Sequence, residues 1–316
     1  MHMSFRLSFA ALVAGVTGPV SKIGATGANR TTGATGKHGA AARGRLLSAL
    51  PALLILALLM TTMLQGCAPR VVPGVPAPAD QADAAWHAYR SWAQGNDAEA
   101  GPFRLNASLR YKTGEHDGNR VVALLWSNGE VPLRLDIMAG IGATVARIRE
   151  DDTTFLAYSP NENKAYYHNG DGRALLSFGV PVPFSVPDLA YLLNGRFGRV
   201  FDDARADARL VADGGIAYTL PRGRVRGMLE LSPEGLPRRW TDTLPGDTQP
   251  GWDMRIDYDD AAPPLPRKIT ITHAKGYSAI LLVKERERPQ AFTGEQLGLE
   301  LPEGAEVLPL RQGTRR

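Results

Sequence analysis

The chain is short of the residues on which most catalytic and covalent chemistry depends. Its 316 residues include one cysteine, Cys67. A single thiol excludes an intrachain disulfide and any metal site built from several thiolates. Of six histidines, only His87, His116, His168 and His273 lie beyond residue 66, and none has the spacing of a metal ligand pair. The sequence has no G-x-S-x-G elbow, no P-loop and no G-x-G-x-x-G turn. The acid pairs Asp151-Asp152, Asp202-Asp203 and Asp259-Asp260 stand at turn signals. They read as loop acceptors rather than as paired acid and base carboxylates. The expectation is a protein that is not an enzyme and carries no cofactor or metal.

Acidic residues are missing from one region altogether. Residues 1–66 hold Arg6, Lys22, Arg30, Lys37, Arg43 and Arg45 and no Asp or Glu. The formal net charge of +4 comes from 36 basic and 32 acidic residues, so the excess sits entirely in this leader. The remaining 250 residues are slightly acidic, with 30 basic residues against 32 acidic ones. Nucleic acid is therefore not an expected partner.

Residues 1–42 are low in complexity, with a Gly, Ala and Thr tract that cannot bury a core. They are also long for the front of an export signal and have the character of an upstream start-site extension. Arg43 and Arg45 then precede an apolar run from Leu46 to Leu64. A basic stretch followed by an apolar one is the pattern of an export signal. A membrane-spanning helix with an incidental Cys is the alternative. Beyond Cys67, residues 67–79 contain Pro69, Pro73, Pro76 and Pro78. Such a segment forms a semi-stiff tether that rises about 3.1 Å per residue, long enough to hold a domain some 35–40 Å from a membrane.

Residues 80–316 read as one domain. An Ala- and Trp-rich helix opens near Asp80, the expected N-cap, and runs to about Ala100. Period-two patterning follows, as in Leu133, Leu135 and Ile137 alternating with Arg134 and Asp136. Turn signals such as Ser127-Asn128-Gly129 separate the strands closely enough to imply an antiparallel meander. A short helix around Leu189, Leu192 and Leu193, capped by Ser185 or Asp188, ends at Asn194-Gly195. Strands then resume from Ile216 to Val283. Arg222, Arg224 and Arg226 alternate and read as the wet face of a strand.

Two sets of residues carry a family resemblance. Leu64-Gln65-Gly66-Cys67 resembles the bacterial lipobox, in which the Cys thiol is acylated and the leader is cut away before it. Ala68 in the next position resembles outer-membrane sorting. Within the domain three stretches are similar to LolB-type outer-membrane lipoproteins of the LolA/LolB-like superfamily. These are Leu133 to Gly142, then Val180 to Pro183 with Asp188 to Gly195, and Pro264 to Ile271 with Lys275-Gly276. The tail from Phe292 to Gly304 is similar to the closing segment of the wider superfamily.

The resemblance implies an α+β domain: a half-open antiparallel β-barrel of about 11 strands, with a short helical lid and an N-terminal helix. It implies a monomer held at the periplasmic face of the outer membrane by lipidated Cys67. The barrel would receive acyl chains, from acylated lipoprotein cargo or from lipid, delivered by a periplasmic LolA-like carrier. The expected cavity lining is Leu124, Trp126, Leu133, Leu135, Ile137, Phe155 and Tyr158, with Leu189, Leu192 and Leu193 from the lid. The expected membrane-inserting tip is Ile141 between Gly140 and Gly142. Ordinary core packing is the competing reading for every lining residue. The competing function is a structural or assembly lipoprotein that uses the same barrel as a docking scaffold.

Overall fold

A computed structural model describes residues 74–114, 119–140, 142–170, 173–244, 247 and 251–310. Leu64, Gln65, Gly66, Cys67, His116 and Ile141 lie outside the described residues.

Helix α1 (Ala79–Ala98) opens the domain. Its buried face, Ala82, Ala85, Trp86, Tyr89, Ala93 and Asn96, repeats at three- and four-residue steps. Alanines on that face let the aromatic rings carry the contact. Trp86 lies 5.0 Å from both Tyr89 and Tyr218, and the Tyr218 hydroxyl donates to Ala82 O at 2.7 Å. Asp80 is not the cap: the N-cap position is Pro78, without a side-chain cap bond.

Fourteen strands follow, in one mixed sheet. Strands β1 (Phe103–Lys112), β2 (Asn119–Ser127), β3 (Leu133–Ala139), β4 (Ala143–Glu150), β5 (Thr154–Ser159) and β6 (Lys164–Asn169) form the expected meander. After the helical middle come β7 (Ala206–Leu210), β8 (Ile216–Leu220), β9 (Gly227–Leu231), β10 (Pro237–Thr241), β11 (Trp252–Tyr258), β12 (Pro266–His273) and β13 (Ser278–Glu287). Strand β14 (Glu306–Pro309) ends the described chain. The strand order is β14-β6-β5-β4-β3-β2-β1-β13-β12-β11-β10-β9-β8-β7. Every pairing is antiparallel except β14 with β6. The closing hairpin β12–β13 joins the two meanders by pairing β13 with β1. Register shifts on β1, β3, β7, β10 and β11 mark bulges that sharpen twist and bend the sheet. The sheet curls into a half-open barrel and does not close.

Segments from the two ends of the described chain add to the outer meander strands. On one side β14 pairs with β6. On the other, tether residues Gly74–Ala77 run along β7: Gly74 N donates to Leu210 O at 2.8 Å, Leu210 N to Val75 O at 2.9 Å and Ala77 N to Ala208 O at 2.8 Å. Covering exposed ladder groups in this way removes a template for association with other chains.

The helical middle comprises α2 (Ala174–Phe178), α3 (Val186–Leu193) and a 3-10 turn, Phe197–Arg199. Helix α3 packs against β3 and β12, strands separated in the sheet by three others. It therefore lies inside the concavity. Six of its eight residues are buried, Asp188 among them. An amphipathic cover would keep a wet face; a helix buried nearly all round behaves as a plug.

Candidate acyl-binding core and its latches

The hairpin register decides which face each expected lining residue occupies. Leu125 sits opposite Leu135 and Ala123 opposite Ile137 on β2 and β3, and all four are buried on the concave face. Leu133, Leu135, Ile137, Phe155, Leu189, Leu192 and Leu193 belong to one continuous core cluster. The sheet and the plug share these contacts, and Ile137 and Leu192 have no exposed surface.

Leu124, Trp126 and Tyr158 are not part of this lining. Leu124 sits opposite Asp136, and Trp126 opposite Arg134. Tyr158 sits opposite exposed Arg147. Because cross-strand neighbours share a face, these three side chains lie on the convex side. The C-terminal segment, including helix α4 (Gly294–Leu297), crosses that side beside Trp126 and Tyr158. Trp126 Nε1 donates to Gln296 O at 3.2 Å, Arg134 reaches Gly298 O, and the Arg134 guanidinium lies 5.2 Å from the Trp126 ring. The Tyr158 hydroxyl donates to Asn163 Oδ1 at 3.0 Å, and Asn163 Nδ2 to Gly304 O at 3.2 Å. In this half of the sheet both faces are covered, so apolar residues at adjacent positions belong to different layers.

Polar latches hold both ends of the plug. At its N-terminus Ser185 and Asp188 form a reciprocal capping box, each accepting the other's backbone N–H at 3.1 Å. Asp188, 2% exposed, also receives both terminal nitrogens of Arg224. Arg222, Arg224 and Arg226 thus lie in the β8–β9 loop and not on a strand; Gly227 begins β9. The Glu150 carboxylate, at the end of β4 and 9% exposed, accepts Val186 N–H at 2.8 Å. Burial pushes the Glu150 carboxyl up to about 7; the Val186 N–H opposes this rise and Asp188 adds to it.

At the C-terminus Arg286 donates to Leu193 O at 2.7 Å and also reaches Pro266 O. A cation there satisfies an orphan helix carbonyl and suits the helix dipole. Gly195 takes the left-handed conformation, φ +75°, and Asn96 Nδ2 donates to its carbonyl at 3.4 Å. A Cβ at Gly195 would stand 2.6 Å from that same nitrogen, so only glycine fits this junction. Arg196, 3% exposed, bonds Asp97 at 2.6 Å and Glu130 at 2.5 Å. Arg199 joins the same two carboxylates at 3.0 and 2.7 Å. The pair ties α1, the β2–β3 turn and the 3-10 turn together.

Sequence reasoning found the Ser185–Asp188 cap and the Gly195 stop but missed the long-range latches. Glu150, Arg224 and Arg286 lie far from α3 along the chain, and no local pattern pairs them with it. The aromatic wall behind the plug, Phe184, Phe197, Phe201 and Trp240, was also missed; only the four-residue spacing of Phe197 and Phe201 hints at it.

The tip of the β3–β4 hairpin is described at its flanks. Gly140 and Gly142 have φ of +48° and +96°. Both are exposed, and a Cβ on either would meet nothing within 4 Å. The three acid pairs serve turns: Asp151 accepts Thr153 N and Thr154 N, Asp202 accepts Ala204 N, and Asp259 accepts Leu265 N. An open groove of about 520 Å³ beside β9–β11 is polar, lined by Glu230, Arg239, Arg255 and Tyr258 among others. It suits no acyl chain, and its Arg239 is already paired with Glu230 and Asp253.

No family model and no curated protein matches this chain. Several solved structures are similar to it. One is a domain assigned to outer-membrane lipoprotein sorting from Vibrio parahaemolyticus, 10% identical, with a TM-score of 0.44 over 67% of this chain and 95% of that one. A LolA superfamily protein from Nitrosomonas europaea is 11% identical, with a TM-score of 0.44 over 67% and 97% of the two chains. A DUF1329 family protein from Desulfovibrio piger is 11% identical, with a TM-score of 0.46 over 68% and 96%.

Proposed function

We propose that this chain is an outer-membrane lipoprotein that binds acyl chains in the concavity of its half-open barrel and helps to receive or insert lipoproteins. In this reading residues 1–66 are removed, Cys67 is acylated, residues 67–79 tether the domain, and Ile141 at the glycine-flanked tip enters the bilayer. Two or more acyl chains on one residue give a stable anchor where one would not.

The observation that carries the reading is the plug. An apolar helix packs within a curved sheet as part of its core, and polar and ionic contacts latch its ends, several from distant elements. Withdrawing it uncovers a continuous apolar surface, and each Å² shielded again by an acyl chain returns about 25 cal/mol. No catalytic group is needed, only an exchange of one apolar occupant for another. Cargo would arrive from a soluble carrier and leave for the membrane, moving toward the larger apolar reservoir.

The filled core also supports a second reading. With the plug in place the concave residues have almost no accessible surface, which is what a docking scaffold requires. Mass spectrometry of lipids retained by the purified Cys67→Ser chain separates the two. Retained acyl species support the carrier. A lipid-free chain that shelters no hydrophobic probe leaves only the scaffold.

A further inference from the structure

Trp240 is 2% exposed, and its indole nitrogen has no hydrogen-bond partner among the described residues. It lies on the concave side of β10, opposite Leu229 and Met254, neither of which has any exposed surface. Its ring packs 5.2 Å from Phe184 and 6.2 Å from Phe201. Phe184 immediately precedes the Ser185 cap of α3, and Phe201 follows the 3-10 turn. Both neighbours belong to the segment that must move if the plug withdraws.

A buried donor without an acceptor is unfavourable, and buried tryptophans usually find a partner. Phenylalanine would fill most of this volume without the polar atom. Apolar ligand sites commonly hold one or two such groups, which fix ligand orientation. An acyl tail has no acceptor, but its ester or amide carbonyl does. Resting on the carrier reading above, we propose that the Trp240 indole N–H donates to the carbonyl oxygen of the bound acyl group. The head of the ligand is then set at β10, and its tail runs toward Ile137 and Phe155.

The full chain is reconstituted in nanodiscs of diether phospholipid, which carries no carbonyl, and titrated with three probes. These are dipalmitoylglycerol, N-methylpalmitamide and the dihexadecyl ether of glycerol. Indole ¹⁵N–¹H resonances are followed, with Trp240→Phe identifying the Trp240 peak. The ester, the amide or both should shift that peak and bind about threefold to tenfold more tightly than the ether, the net worth of one neutral hydrogen bond. Trp240→Phe should abolish that preference, so that the ester, the amide and the ether bind the variant alike. A response to the ester alone assigns the acceptor to a glycerolipid, and a response to the amide alone to an N-acylated chain. Equal binding of all three probes, with no shift, overturns the assignment but spares the carrier. Binding of none overturns both.

Discussion

The Glu150 carboxylate accepts the Val186 N–H at 2.8 Å, so the last residue of β4 supplies an acceptor to the first turn of α3. A strand of the barrel wall is thereby bonded directly to the start of the plug. Because burial lifts this carboxyl to about 7, the contact is tied to pH. A raised folded-state value means that the folded protein holds its proton more tightly than the unfolded chain. The resulting stability is complete below about pH 4.5 and is lost as pH rises through about 7. Glu150→Gln should flatten the dependence of urea midpoint on pH between 5 and 8, and should stabilise the protein at pH 8 by about 1–3 kcal/mol. Parallel profiles for the two proteins would contradict this.

Asp188 and Arg224 hold the same end of the plug. Arg224→Ala leaves Asp188 buried with its charge less compensated. Amide exchange across residues 186–193 should quicken by at least about tenfold, while β1 and β13 amides keep their protection. Ser185→Ala, which removes one half of the capping box, should cost about 1 kcal/mol by denaturant titration.

The convex side gives a separate prediction. Leu297 is 5% exposed yet stands apart from the concave core. Leu297→Ala should cost about 2–4 kcal/mol of stability and leave acyl-probe affinity within twofold of the parent. Ile137→Ala should lower both. Equal losses of probe binding would mean that the two layers act as one.

Ile141→Glu addresses the proposed membrane contact. Burying an isoleucine side chain is worth about 1.5–3 kcal/mol, so vesicle partitioning of the Cys67→Ser chain should fall at least about tenfold. Thermal midpoint and acyl-probe affinity should not change. Unchanged partitioning would remove Ile141 from the membrane contact.

Much of the fold was legible because period two and turn chemistry are local signals. The six-strand meander, the Ser185 cap and the Gly195 stop all follow from short stretches of sequence. Strand β7, Ala-Asp-Ala-Arg-Leu, was not legible: it is an exposed edge of weak strand formers, ordered by the tether beside it. Strand β14 is four residues long and exists only because β6 offers an edge. The cavity assignment failed at Leu124, Trp126 and Tyr158 for one reason. Alternation identifies two faces, but it does not say that a distant segment will bury the second one. Glu150, Arg224, Arg286 and Trp240 were invisible for a related reason, since their partners are set by the curl of the sheet and not by spacing.

Pairing Gly74–Ala77 with β7 also fixes a length. Whatever is attached at Cys67 reaches the barrel through seven peptide steps, at most about 25 Å when fully stretched. That is well short of the span suggested by counting the whole proline-rich segment as free. An acylated Cys67 would work as a short leash fastened to one chosen edge of the sheet. The domain could tilt and swivel about β7 but not drift away, so its search for an incoming carrier would be confined to a thin layer beside the membrane.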